Sequence, residues 1–273
     1  TTMTMQAAAA LSVFDNLGSG FYRVATELKI MGGLVNVGTH MGLVRLTNGK
    51  FVALGTVDPN VPGLKEDIDK LTDNGKNLEA VMATHPFHSL YFKPFQTIYP
   101  DAKYYGTPRH LRILPDVKWA GVVNDATVQS MYEPELDMRI LPSEVSDFEN
   151  PLDSIHFNNV LVFHKESGVM YNDDMFVYIV EPRKRIGCCV SFMVGIKHDS
   201  FNLHPTSYKG GIHKTKEAFQ GFETFVDKLL VDWDIKTIAT AHNGVLKTDA
   251  KQRLRALIEH ERPKWHHMRT KYS

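Results

Sequence analysis

The sequence predicts an α/β protein in which two β-sheets are covered by helices on their outer faces. Three observations lead there. Strand-like runs open the chain, strand and helix signals then mix, and amphipathic helices close it. The buried strands are short β-branched runs that stop abruptly at polar residues. The length, 273 residues, is enough for one large domain or two small ones with a sizeable core. No internal repeat, low-complexity tract or linker interrupts it.

The elements follow in order. FYRVATEL and GLVNVGTHMGLVRLTNGKFVALGTVDP read as early strands. Asn48-Gly49 between apolar runs is a strong hairpin signal. VPGLKEDIDKLTDNG predicts a helix, with Pro62 near its start and Gly75 as a stop. LEAVMATH predicts a buried strand ending at His85. SLYFKPFQTIYPDA predicts a short helix weakened by Pro94. AKYYGTP reads as a strand, PRHLRILPDV as a short helix and DMRILPSE as a strand. NNVLVFHKESGVMYNDDMF reads as two strands joined by a turn at Lys165-Glu166-Ser167-Gly168. HKTKEAFQGFETFVDKLLVDW sets Phe219, Phe222, Phe225, Val226, Leu229 and Leu230 on one helical stripe. IKTIATAH is a last buried strand. TDAKQRLRALIEHER is the closing helix, with Thr248 as candidate N-cap.

Composition narrows the function. Lys+Arg and Asp+Glu both number 31, so the formal charge is zero and the basic footprint of a nucleic-acid binder is missing. HERPKWHHMRTKYS is locally basic, and its His266-His267 pair reads as a solvated tail. The two cysteines, Cys188 and Cys189, are adjacent, which predicts free thiols, a reducing compartment and a cytoplasmic location. No apolar run reaches the ~20 residues of a membrane span. The chain opens on Thr1 rather than Met, which points to processing or trimming and leaves room for the remnant of a targeting segment. The expected partner is a small-molecule substrate, with neither nucleic acid nor membrane; the sequence does not give the oligomeric state.

The chemistry lies in the histidines and acids at strand ends. VMATHPFHSLYF carries His85 and His88. SIHFNNVLVFHKESGVMYNDDMF carries His156, His164, Asp173 and Asp174, and IKTIATAHNGV carries His242. Loops at strand ends hold reactive groups on a rigid frame yet leave them reachable. Imidazole and carboxylate together suit zinc, iron or manganese better than calcium or magnesium.

These segments resemble the metallo-β-lactamase superfamily from about Val35 to Val245. Thr84-His85 matches the head of that family's T-H-x-H-x-D-H motif. His156 resembles its turn histidine, Asp174 its bridging aspartate (18 residues after His156), and His242 in TAHNG its last histidine. The resemblance implies a single domain over 1–273 with a four-layer αβ/βα sandwich. It implies a metal-dependent hydrolase of a small ester, lactone or amide, working through metal-bound hydroxide. Zinc is the expected metal, with iron as the alternative.

The departure from the family is equally plain. Phe87, Ser89 and Leu90 stand where His, Asp and His are expected, so the motif reads T-H-P-F-H. His88 replaces the second histidine if the turn bulges by one residue, and the second metal site loses its Asp-His pair. The expected ligands are therefore His85, His88, His156, Asp174 and His242, holding one metal rather than two. Asp174 and His88 are the catalytic candidates. Tyr91 and His204 are candidate substrate contacts, with a surface position the plainer reading of His204. Asp173, Glu144 or a backbone carbonyl would orient the ligands. His164 reads as a packed or supporting histidine, and Phe87, Tyr91, Phe92 and Phe95 as core. Two alternatives stay open: an iron oxygenase-type enzyme, and a non-catalytic protein with a degraded metal site.

Overall fold

The computed structural model describes residues 11–30, 32, 35–180, 198–242 and 244–273. Cys188 and Cys189, and most of the apolar stretch near the N-terminus, lie outside them.

Two mixed sheets form the centre. The first has seven strands in the order β1-β2-β5-β6-β7-β8-β9. Its members are β1 (Asp15–Gly18), β2 (Phe21–Thr26), β5 (Thr39–Arg45), β6 (Phe51–Leu54), β7 (Leu78–Met82), β8 (Lys103–Gly106) and β9 (Trp119–Val122). A short pair, β3 (Lys29–Ile30) and β4 (Val35–Asn36), lies apart. β5 and β6 form the antiparallel hairpin predicted at Asn48-Gly49, with Gly49 at φ 83°. From β6 to β9 the strands run parallel. The crossovers are α1 (Leu64–Thr72), α2 (Phe92–Ile98) and α3 (Pro108–Ile113).

The second sheet has five strands in the order β10-β11-β12-β15-β16. They are β10 (Leu136–Arg139), β11 (Leu161–His164), β12 (Val169–Asn172), β15 (Thr237–Thr240) and β16 (Val245–Leu246). β13 (Phe176–Ile179) and β14 (Ser200–Leu203) pair separately. α4 (Ala126–Tyr132) leads into β10, while α5 (Lys216–Asp232) and α6 (Ala250–Lys271) pack together.

Three apolar layers hold this together. Val44, Val52, Leu54, Ala80 and Met82 of the first sheet meet Met138, Val162, Val169, Tyr171 and Ala239 of the second. Leu64 and Ile68 of α1 and Phe92 and Phe95 of α2 cover the outer face of the first sheet. Phe219, Phe222, Val226, Leu229, Leu254 and Ile258 of α5 and α6 cover the second. Each such fully buried large side chain is worth about 1.5–3 kcal/mol relative to exposure. The result is helix, sheet, sheet, helix, as the sequence predicts.

Three expectations need correction. Pro94 does not weaken α2: with Tyr91 as N-cap it falls in the first turn, where no amide donor is needed. Asp249, in a left-handed conformation, occupies the N-cap of α6 in place of Thr248. The basic tail is the last turns of α6, which continues through Pro263, rather than a loose end, although His266 and His267 are exposed as expected. Trp265 anchors it, fully buried, donating its indole N–H to Tyr208 Oη at 2.7 Å. β9 and α4, which lack a long apolar run, carry no clear sequence signal.

Candidate metal centre

The site forms where three strands of the two sheets end. β7 gives way to Thr84-His85, β12 to Asp173-Asp174 and β15 to His242. The backbone amide of Val160 donates to the Thr84 carbonyl at 2.7 Å, tying the first loop to the segment entering β11. Two buried asparagines clamp the acidic turn. Asn159 Oδ1 accepts from the amides of Asp174 and Met175 at 3.3 and 2.9 Å. Asn172 accepts from the Phe176 amide at 3.1 Å and donates to the carbonyls of Phe176 and Asp173 at 2.6 and 3.2 Å. A carboxylate held this way meets its neighbours in one fixed orientation.

Those neighbours are histidines. Asp174 Oδ2 lies 3.2 Å from His85 Nε2, 3.6 Å from His88 Nε2 and 3.9 Å from His156 Nδ1. Asp174 Oδ1 lies 2.7 Å from His242 Nε2. One ligand atom from each of His85, His88 and Asp174 falls within 4.8 Å of the other two. His85 and Asp174 are wholly buried, whereas His156 is 39% exposed and opens the cluster to solvent.

The far side of each ring says which nitrogen faces inward. His242 Nδ1 lies 2.9 Å from the Gly38 carbonyl, and a carbonyl can only accept, so that nitrogen carries a proton and Nε2 is the one turned to Asp174. His156 Nε2 lies 3.1 Å from the Asp153 carbonyl, which turns Nδ1 inward by the same logic. His88 Nδ1 sits 3.4 Å from Asp173 Oδ1, leaving Nε2 for Asp174. His85 Nδ1 instead accepts from the Phe87 amide at 3.2 Å and presents Nε2 to Asp174. An imidazole pinned from behind by an oxygen acceptor is how metal-binding histidines are oriented.

A fit test for a metal comes from the polar atoms left over. His85 Nε2, His88 Nε2 and Asp174 Oδ2 are buried without a hydrogen-bond partner among the described residues. Orphaned buried polar atoms cost about 1–3 kcal/mol each, and a cation among them would satisfy all three once the His85 proton leaves Nε2. The donor set, imidazoles and a carboxylate, suits zinc or iron.

The charges fit the same picture. Burial pushes His85 down to about 3 and holds it neutral. Burial opposes charge on His88, but the Asp174 and Asp173 carboxylates prevail and lift it to about 10. His242 is raised likewise, with burial outweighed by Asp174. Burial opposes ionisation of Asp174 as well, yet His242, His85 and His88 hold it well below the usual carboxylate range. The carboxylates thus favour positive charge on the histidines around them, which a bound metal would supply instead.

The remaining sequence candidates fall in several places. Phe87 stands at the site rather than in the core, stacked on His156 at 4.2 Å with the Arg109 guanidinium 4.5 Å from its ring centroid. His204 is half-buried and feels the charges of Asp174, His242 and His156; its Nδ1 lies 2.8 Å from Thr206 Oγ1, which donates to the His156 carbonyl at 3.1 Å. That is closer to the centre than the surface position its sequence context suggests. Tyr91 begins α2, and its charged neighbour is Asp58 rather than a histidine of the cluster. Glu144 is exposed and orients none of the rings; Asp173 and two backbone carbonyls do. His164 is satisfied in its own hairpin, with Nδ1 2.8 Å from Ser167 Oγ.

Sequence reasoning missed Arg23, His40 and His110. His110 Nε2 donates to the His88 carbonyl at 3.2 Å, and its Nδ1 meets Thr107 Oγ1 at 2.8 Å. Arg23 meets His40 across 17 residues of chain, and His40 meets Asp173 across 133, a separation that no local pattern encodes.

No protein-family model matches the chain, and no curated protein matches its sequence. Solved structures do match its fold. The metallo-β-lactamase of Erythrobacter litoralis superposes with TM-score 0.53 at 14% identity, over 90% of this chain and 92% of that one. The metallo-β-lactamase of Hirschia baltica gives 0.52 at 12% identity, over 90% and 96%. The DIM-1 metallo-β-lactamase exposed to ceftazidime gives 0.54 at 12% identity, again over 90% and 96%. With the layer order and the strand-end cluster already in place, these likenesses establish that the chain adopts the metallo-β-lactamase fold.

Proposed function

We propose that the protein is a metal-dependent hydrolase of a small ester, lactone or amide. The observation that carries the reading is the convergence of His85, His88, His156 and His242 on one buried carboxylate, Asp174. Those five residues would hold one metal, zinc by preference and iron as the alternative. When bound, it would supply a Lewis acid that polarises a carbonyl oxygen and acidifies water towards a pKa of roughly 7.

The chain's own residues do the rest. Asp174 supplies negative charge that offsets the cation. Asp173 and the Gly38 and Asp153 carbonyls fix the rings of His88, His242 and His156. His88 carries a proton when the centre is empty and must give it up on loading. Phe87 shields one side of His156 from water. His204 and Tyr91 are the proposed substrate contacts. We further propose one domain spanning the chain and a cytoplasmic enzyme with a small-molecule partner. Among the described residues no helix is long and apolar enough to cross a membrane.

Elemental analysis of untagged protein, followed by hydrolysis of an ester, lactone and amide panel before and after chelation, tests the reading. Near-stoichiometric zinc with chelator-sensitive hydrolysis is the expected result. Bound iron with oxygen uptake and no hydrolysis would replace it with oxygen chemistry. Protein that neither contains nor takes up metal would remove it.

A further inference from the structure

We infer that Arg23, His40 and Asp173 form a hydrogen-bonded relay whose task is to position His88 at the metal centre. The inference rests on the metal reading above and names residues that the family-like motif does not contain.

The relay is built into the sheet. Arg23 of β2 and His40 of β5 lie on paired strands, Arg23 opposite Gly42 and His40 opposite Ala25, so they are diagonal neighbours on one face. Both are almost wholly buried, at 3% and 1% exposure. Arg23 Nε donates to His40 Nδ1 at 3.1 Å. A guanidinium can only donate, so His40 Nδ1 is bare and its proton sits on Nε2. Nε2 donates in turn to Asp173 Oδ1 at 3.2 Å. The same carboxylate oxygen lies 3.4 Å from His88 Nδ1. A neutral imidazole thus joins a buried cation to a buried anion, and the anion ends against a ligand histidine.

Two features set this apart from a buried ion pair that merely satisfies itself. First, His40 has no freedom to turn. Its ring stacks on Tyr171 at 4.2 Å, and Tyr171 Oη donates to the Leu54 carbonyl at 3.0 Å. Gly55, at φ +72°, leaves room for that hydroxyl, which lies 3.0 Å from where a Cβ would stand. Second, Arg23 reaches the centre by another route. Its Nη2 donates to the Thr240 carbonyl at 2.9 Å, at the end of the strand that delivers His242. One arginine therefore braces the presentation of two histidines from opposite sides of the cluster. His40 stands behind the cluster rather than in it: its nitrogens meet Arg23 and Asp173, and neither faces Asp174, on which the proposed ligand histidines converge.

The test uses the full chain with cobalt(II) as probe. Affinity is read by chelator competition and ligand geometry by the visible absorption of the bound ion. His40→Phe keeps a ring against Tyr171 and removes both hydrogen bonds; Asp173→Asn weakens the acceptor. Each is expected to lose about 10–100-fold in cobalt affinity and to shift the visible bands. His40→Gln keeps an acceptor for Arg23 and a donor for Asp173, and should recover most of the loss. Nitrogen-15 NMR of wild-type protein, with and without cobalt's diamagnetic counterpart zinc, should find His40 protonated on Nε2, a readout that needs no variant to fold. A proton on His40 Nδ1, or folded variants with wild-type affinity and spectrum, would overturn the relay alone. Loss of a cobalt equivalent in Asp173→Asn with none lost in His40→Phe would make Asp173 a ligand and also overturn it. Wild-type protein that takes up no cobalt would sink the metal reading itself.

Discussion

His85 and His164 are both buried histidines at the end of a strand, one in each sheet, yet they have opposite fates. His164 finds a partner three residues away, Ser167, inside its own hairpin turn, and packs its ring 5.9 Å from Phe21. His85 is followed by Pro86 and Phe87, neither of which offers a side-chain acceptor, and its Nε2 faces Asp174 unpaired. Burial and strand-end position are the same. Each ring has one nitrogen engaged nearby, His85 Nδ1 by the Phe87 amide; the difference is the second nitrogen of His85, buried and unpaired among other histidines, and that marks the chemistry.

The sharpest way to break that contrast is to remove the acid on which the cluster converges. Asp174→Ala should abolish tight metal binding, because it deletes the carboxylate shared by four histidines, and hydrolysis should vanish with it. His164→Ala should leave metal content at the wild-type level. Elemental analysis of both variants, after confirming that each folds, decides the matter. A metal-replete Asp174→Ala would mean that the cluster is not the metal site.

Chelation separates the two regions by stability. A ligand that binds only the folded state stabilises it by about 2.7 kcal/mol at a hundred times its Kd. For a chain of this size that is on the order of 5–10 °C in melting temperature. Stripping metal should therefore lower the melting temperature of wild type and of His164→Ala alike. His88→Ala, with one ligand gone, should show a much smaller drop. Equal drops in all three proteins would place the metal elsewhere or make His88 a bystander.

Much of this was legible in the chain. The strand ends at His85, Asp174 and His242, the hairpin at Asn48-Gly49 and the helical stripe of α5 each rest on a local signal, and each stands where that signal puts it. His88 is the instructive intermediate case. Its position after Pro86-Phe87 suggests an inward turn only if the loop bulges, and its ring does lie 4.4 Å from that of His85. What the sequence could not carry was tertiary. Arg23, His40 and Asp173 meet because β2, β5 and β12 belong to facing sheets, and nothing in FYRVATEL marks Arg23 as buried. The tail from Pro263 onward reads as polar, and one buried indole, Trp265, reverses that reading.

Acidity offers a finer division among the histidines of the metal-free protein. Burial holds His40, His85 and His110 neutral, pushed down to about 4, about 3 and about 4. In the unfolded chain each returns to about 6.5, so below that pH the unfolded state takes up protons that the folded state refuses, and stability falls as pH falls. Asp173 and Asp174, held low, add to the loss once the pH drops below about 4. His88 has the opposite sign. Its pKa of about 10 means that the folded state keeps a proton the unfolded chain gives up above about 6.5, so its contribution fades as pH rises towards 10. Chelated wild type should melt highest near neutrality, with a decline on both sides. His88→Ala should lessen the alkaline decline, leaving the part due to His242, and keep the acid one. A melting temperature that climbs steadily to pH 9 in chelated wild type would contradict the charge assigned to His88. The same assignment predicts that zinc binding at pH 7 releases at least the His88 proton, with His242 adding to it, read from the buffer dependence of the binding enthalpy.

The smallest effects lie furthest from the centre and test the contrast from its other end. His164→Ala removes one side chain–side chain hydrogen bond and the packing against Phe21, which should cost about 1–3 kcal/mol in urea unfolding. His266 is 52% exposed and meets Glu223 at 3.2 Å on the outer face of α6. His266 is the exposed partner, and Glu223 keeps Arg262 and Arg269 without it, so His266→Ala should change stability by no more than about 0.5 kcal/mol. Neither substitution should alter metal affinity. The three histidines then fall in order: His88 lowers metal affinity when removed, His164 lowers stability alone, and His266 lowers neither. If His164→Ala cost no more than His266→Ala, satisfaction by Ser167 would not be what keeps His164 in place. Burial alone would then fail to separate a structural histidine from a surface one, and the argument built on His85's missing partner would lose its control.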